Sequence, residues 1–106
     1  MGILDFFNMP EINQGLEEYR ATPGAVLLDV RTQQEYREGH IPESKNIPLH
    51  TLQGADGFAE NLDTPLFVYC QSGVRSGQGV AVLKRMGYRK VKNIGGISAY
   101  RGKVVK

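Results

Sequence analysis

An apolar run that ends on the only cysteine and turns at once into a helix is the feature that most constrains this chain. Leu66-Phe-Val-Tyr-Cys70 has the unbroken apolar character of a strand buried on both faces. Gln71, Ser72 and Gly73 form a short turn. The segment that follows carries Val80, Leu83 and Met86 on one helical face, and Gly87 ends it. Strand, turn and helix together place one sulfur at the positive end of a helix, above a bowl of backbone N–H groups. Such a bowl binds anions and lowers a thiol pKa, so the chemistry is expected to start from a thiolate.

The loop supplies backbone N–H donors from Gln71, Ser72, Gly73, Val74 and Arg75. Gly73 permits backbone angles closed to other residues, which lets the turn wrap tightly. The donors then converge as an anion-binding nest. Arg75 adds a permanent cation near the helix start. A helix N-terminus with a neighbouring cation draws a cysteine pKa from about 8.5 toward about 7 or lower. A lone cysteine is more commonly buried and inert. The glycine in the loop and the arginine at its end favour a reactive role for Cys70 instead.

Loop length separates two cysteine chemistries. Cysteine-dependent phosphatases use Cys-x5-Arg, whereas Cys70 and Arg75 are separated by one residue fewer. A shorter loop makes a narrower bowl. A phosphoryl group needs room for three equatorial oxygens, and a narrow bowl better suits a single added sulfur atom.

The other segments alternate strands and helices. Ile3 to Phe7 reads as a short strand. Pro10 and Glu11 open a helix bearing Ile12, Leu16 and Tyr19, which Thr22-Pro23-Gly24 stops. Ala25 to Val30 is a buried strand. Thr32-Gln-Gln-Glu35 matches a capping box for a short helix over 33–38, with Gly39 beyond its end. Asn46 to Leu49 is extended, and 51–63 holds only a weak helix. Tyr88 to Ile94 is a further strand, after which Gly95-Gly96 turns the chain, and the tail from Arg101 has no pattern. This alternation implies an α/β fold with a mainly parallel central sheet flanked by helices, in one domain over residues 1–106. Ligands in such sheets sit at the carboxyl ends of strands, where Cys70 lies.

Hydrophobic content of 41% and charged content of 23% are ordinary for a soluble protein, and no apolar run approaches the roughly 20 residues of a membrane span. The first residues lack the basic region and small-residue cleavage site of a secretion signal. A lone thiol beside a helix start suits a reducing compartment, so the cytoplasm is expected. The net charge of +2 hides an asymmetry. All 11 acidic residues lie at or before Asp63, and nine basic residues follow Thr64. Such runs mostly make solvated faces; the sharper alternative is a positive field that gathers small anions near Cys70. The basic residues lack the aromatic interleaving of a nucleic-acid surface. One cysteine excludes an internal disulfide and a cysteine-only metal site.

Several segments together resemble a single-domain rhodanese. These are Leu28-Asp29-Val-Arg31 with Glu35-Tyr36 and Gly39-His40-Ile41-Pro42, then Asn46-Ile-Pro-Leu49, Cys70-Gln-Ser-Gly-Val-Arg75-Ser76, and Asn93-Ile-Gly-Gly96 with Tyr100. Tyr100 stands where the family often carries Trp, and Glu43 where a small residue is common. The resemblance implies a three-layer rhodanese-like sandwich and a sulfurtransferase that needs no metal or cofactor. Cys70 would take a sulfur from thiosulfate or another small anionic donor as a persulfide. A small-molecule or protein thiol, or cyanide, would then accept it, without nucleic-acid or membrane partners. Residues 71–75 would hold the anionic sulfur.

Asp29, Arg31, Glu35 and Ser76 are supporting candidates. Asp29 and Arg31 suit an ion pair tying a loop to the sheet, while Asp29 or Glu35 could instead orient Arg75. Glu35 completes the capping box, and Ser76 suits a helix cap. His40 reads as structural. The competing functions are a non-catalytic binding or regulatory module of the same fold and, less favoured, a small cysteine phosphatase or arsenate reductase.

Overall fold

Two apolar runs, Val26–Asp29 (β1) and Leu66–Cys70 (β3), form the centre of a parallel sheet, and their side chains are buried almost throughout. The computed structural model describes residues 10–106. Lys45–Asn46 (β2) and Val91–Gly96 (β4) flank the central pair in the order β2-β1-β3-β4, every pairing being parallel. The expected strand at 3–7 lies outside the described residues.

A parallel sheet must be covered on both faces, and alternation along each strand decides what each face receives. Leu27, Phe67, Tyr69 and Ile94 point to one face. There the helix Ile12–Arg20 (α1) seats Ile12 and Leu16 on them. Leu28, Val30, Val68 and Cys70 point to the other face. They meet Leu83 of the helix Val74–Arg85 (α3) and Leu52 of a 3₁₀ turn, Leu49–Gly54. The result is the three-layer α/β sandwich. Among the described residues no helix is long and apolar enough to cross a membrane.

The local signals act as read at several points. Glu11 caps α1 by accepting the N–H groups of Asn13 and Gln14 at 3.0 and 3.2 Å. Thr32 and Glu35 close the capping box of the helix Gln33–Glu38 (α2). Other segments differ from expectation. Gly95 and Gly96 do not turn the chain; they form the end of β4. Val68 pairs with Asn93 but Tyr69 with Gly95, so one extra residue bulges, and Gly95 takes φ +106°. A glycine pair after an apolar run serves a bulge as readily as a turn. β4 starts at Val91 rather than Tyr88, because Tyr88 packs on Phe58 in the connection. Residues 51–63 contain only the tail of the 3₁₀ turn, whose i→i+3 bonds begin at Pro48. The tail is ordered by one antiparallel bridge, His40 and Val105 exchanging N–H···O bonds of 2.8 and 2.9 Å.

Gly15 is where α1 comes closest to the sheet. A Cβ there would lie 2.6 Å from Cγ2 of Ile94. Gly15→Ala gains about 1 kcal/mol of helix propensity. Overpacking beside a β-branched side chain costs about 1–3 kcal/mol, and this clash involves the stem of Ile94 rather than a flexible end. A net loss of stability is expected in denaturant unfolding; an increase would show that α1 can lift without penalty.

Candidate active site

The loop after β3 is shaped by what lies beneath it. Gly73 adopts φ +103° and serves as the N-cap of α3, which starts at Val74. Gly96 lies directly under the loop. A Cβ on Gly96 would stand 2.6 Å from Cα of Ser72, so only glycine admits this approach. Two bonds hold the loop down: Ser98 N–H donates to Gln71 O at 3.2 Å, and Asn93 Nδ2 donates to Gly73 O at 3.1 Å.

The curl converges on sulfur. Gly73 N–H donates to Cys70 Sγ at 3.0 Å, and Ser76 Oγ lies 3.4 Å from it. Burial pushes the thiol pKa up, but the Ser76 hydroxyl and the N–H groups of Ser76, Gly73 and Ser72 outweigh it, so the net shift is downward. Of the expected run 71–75, the Gly73 N–H is the donor seen within hydrogen-bond distance of Sγ, and the Ser76 hydroxyl joins it from the first turn of α3. Ser76 is not a cap, because α3 has no side-chain cap at its start; its hydroxyl points inward to Cys70 and Asn93. Val74 is 64% exposed, and Gln71 and Ser72 are also on the surface.

The small loop residues do not leave an open entrance. Cys70 is 0% exposed, covered by the backbone curl that also supplies its donors. The sulfur is thus wrapped in N–H and hydroxyl groups on its loop side. The same tight loop that lowers the pKa also shields the atom from solvent.

Glu35 holds Arg75. Nη1 and Nη2 of Arg75 donate to Oε1 and Oε2 at 2.7 and 2.9 Å, a bidentate fork. Glu35 Oε1 also accepts the Thr32 N–H at 3.0 Å, so the residue caps α2 and orients Arg75 at once. The Arg75 bonds, helped by Thr32, hold the Glu35 carboxyl down at about 2. Arg75 is accordingly a paired cation; the thiol is held down by the Ser76 hydroxyl and by backbone N–H groups.

Asp29 serves a different arginine. It is fully buried and binds Arg31 through Nε and Nη2, the latter at 2.8 Å, while Arg31 Nη2 also reaches Gly39 O at 2.7 Å. This pair ties the end of β1 to the turn after α2, and Asp29 does not orient Arg75. Arg31 Nη1 stands 3.5 Å from Gln71 Oε1, a weak tether to the loop. His40 stacks on Tyr36 with ring centres 3.6 Å apart, and its Nδ1 lies 2.8 Å from Tyr36 O, a structural setting. Beside Arg75 opens a cleft of about 270 Å³ lined also by Val30, Thr32, Pro48, Leu49 and His50.

Asn93 was not among the expected site residues. It lies at the bulge, where Oδ1 accepts the Gly95 N–H at 3.0 Å and the Ser76 hydroxyl at 2.7 Å. A short amide side chain two positions before a glycine pair, near the end of a strand, is the signal that points to it.

Two outcomes test this geometry. Gly96→Ala should displace the loop and return the Cys70 pKa toward the ordinary thiol value, read by thiolate absorbance; an unchanged titration would show that the loop does not depend on Gly96. Glu35 has a depressed folded pKa, so its contribution is present above 4.5 and is lost as pH falls toward about 2. With both side chains about one-third exposed (34% and 29%), that contribution should stay within about 1 kcal/mol. Glu35→Gln should flatten the fall in denaturant midpoint over this window; an identical fall would assign it to other carboxylates.

The geometry has clear relatives. Thiosulfate sulfurtransferase 18 of Arabidopsis thaliana is 43% identical over 86 residues, covering 69% of this chain and 63% of that protein. A rhodanese from E. coli, solved with anions, superposes with a TM-score of 0.70 at 32% identity, over 77% of this chain and 98% of that one. A tRNA uridine(34) hydroxylase of Salmonella newport is 30% identical over 102 residues, but the chain spans only 28% of it. The sequence profile of the rhodanese-like domain matches residues 11–103, and the chain belongs to that family.

Proposed function

We propose that this protein moves a sulfane sulfur from a small anionic donor, thiosulfate or a persulfide, to a thiophilic acceptor by way of a persulfide on Cys70. The observation that carries the reading is Cys70 Sγ at the focus of the loop, accepting the Gly73 N–H at 3.0 Å beside the Ser76 hydroxyl. Membership of a family that contains sulfurtransferases supports it.

The chemistry is a pair of displacements at sulfur. The Cys70 thiolate attacks the outer sulfur of thiosulfate. The new S–S bond forms as the bond to the sulfite sulfur breaks, and sulfite leaves with that electron pair. Negative charge then resides on the outer sulfur of the persulfide, inside the loop. An acceptor thiolate or cyanide attacks that outer sulfur and returns Cys70 as thiolate. No net proton is consumed when the reacting groups are already ionised. Donors fixed in place before reaction cost no reorganisation as charge moves; removing one such donor costs about 3–4 kcal/mol in acyl transfer, and a comparable order is expected here.

Covering of the sulfur favours this reading over phosphoryl transfer. A terminal sulfur is one atom wide, whereas a phosphoryl group carries three equatorial oxygens. The largely apolar cleft beside Arg75 suits the organic part of a thiol acceptor, small molecule or protein, and a resident thiolate suits the reducing cytoplasm.

Intact mass after incubation with thiosulfate tests the proposal. The protein should gain one sulfur atom and lose it on addition of cyanide or thiol, and Cys70→Ser should do neither. Absence of the adduct in folded protein would favour a non-catalytic binding module. Phosphate release from an aryl phosphate without the adduct would favour the phosphatase alternative.

A further inference from the structure

Ser76 has one hydroxyl proton and two neighbours that want it. Asn93 Oδ1 lies 2.7 Å from Ser76 Oγ and Cys70 Sγ lies 3.4 Å from it, on a side chain with no solvent exposure. The orientation of the Asn93 amide is fixed by the backbone on either side. Gly95 N–H can only donate, so it faces Oδ1 at 3.0 Å; Gly73 C=O can only accept, so it faces Nδ2 at 3.1 Å. Reversing the amide would set donor against donor and acceptor against acceptor. Oδ1 therefore meets Ser76 as an acceptor, and at 2.7 Å the hydroxyl must donate to it.

With its proton committed to Asn93, Ser76 presents a lone pair to sulfur. That arrangement suits a neutral thiol, whose S–H can donate to Oγ. It opposes a thiolate, which needs a donor. The thiolate already accepts the Gly73 N–H, and its further stabilisation draws the Ser76 hydroxyl from Asn93 to Sγ, exchanging a short neutral hydrogen bond for one to an anion. We propose that Asn93 is a positioning residue that acts through Ser76, competing with Cys70 for a single proton and so setting how readily the sulfur ionises.

The charged groups around Cys70 leave this exchange as the local variable. Arg75 on α3 is held by Glu35 from α2, and Arg31 at the end of β1 by Asp29. From β4, Lys92 is engaged by Glu18 of α1. The same hydroxyl can follow charge through a reaction. It donates to Sγ while that atom is the anion, and returns to Asn93 once the charge has passed to an atom bonded to Sγ. This last step rests on the sulfur-transfer reading; the competition itself does not.

The test uses the 106-residue chain with Cys70 as the free thiol, carrying no persulfide, so its outcome is separate from that of the thiosulfate experiment. The side-chain amide resonances of Asn93 in nitrogen-15-labelled protein are followed through the Cys70 titration. They should move with the same midpoint as the thiolate absorbance, and the movement should shrink severalfold in Ser76→Ala. An equal movement in Ser76→Ala, or none in the parent chain, would overturn the proposal. A second arm reads the Cys70 pKa itself. Ser76→Ala should raise it by roughly one pH unit more in an Asn93→Ala background, where the hydroxyl is free to serve sulfur, than in the parent. A merely structural Asn93 would loosen the loop and leave the effect of Ser76→Ala the same in both backgrounds, which contradicts the proposal. If Asn93→Ala does not fold, the resonance arm decides alone.

Discussion

The loop can curl around Cys70 only because the strand beneath it carries no side chain at Gly96. Everything particular about the site follows from that contact. Backbone lies directly on backbone, Gly73 takes its left-handed φ at the start of α3, and N–H groups that would otherwise face water are turned onto one sulfur. The bulge in β4 belongs to the same device. It brings Gly95 and Gly96 opposite Tyr69 and Cys70 and places Asn93 where its amide reaches both the loop and Ser76. Sheet geometry thus does the work that a longer loop would have to do with side chains.

Two opposed effects meet at the sulfur. Burial disfavours the anion, and convergent donors favour it. Here the donors prevail, and the direction of the Cys70 shift records that balance. Burial still matters, because a charge shielded from water feels fixed dipoles more strongly. The ion pairs nearby are supports. Glu35 and Arg75 join α2 to the first turn of α3, and Asp29 with Arg31 braces the end of β1. Pairing also cancels much of the Arg75 charge. Selectivity for a small anion would therefore rest on backbone N–H groups and on the width of the loop, more than on the basic half of the sequence.

Much of this was legible in the residues. The apolar run into Cys70, the glycine in the turn and the helical spacing after it place the sulfur correctly, because each is a local signal. The capping box and the apolar stripe of α1 are local too. What depended on distant chain was read less well. Gly95-Gly96 carries the composition of a turn, and only its pairing with Tyr69 and Cys70 makes it a bulged strand end. Asn93 has one local partner, the Gly95 N–H, and the contacts that make it part of the site, Gly73 and Ser76, lie on another element. How far the loop closes over the sulfur is set by the glycine under it, which belongs to a distant strand. Asp29 could not be assigned to Arg31 rather than Arg75 until the chain reversal after α2 brought Gly39 to the same guanidinium.

The most direct test is the pH titration of the Cys70 thiolate by ultraviolet absorbance, with Cys70→Ser subtracted to remove tyrosine. The convergent donors require ionisation below the ordinary cysteine value of about 8.5. A midpoint at or above that value, in folded protein, would mean that burial outweighs the loop and that the sulfur is a structural thiol.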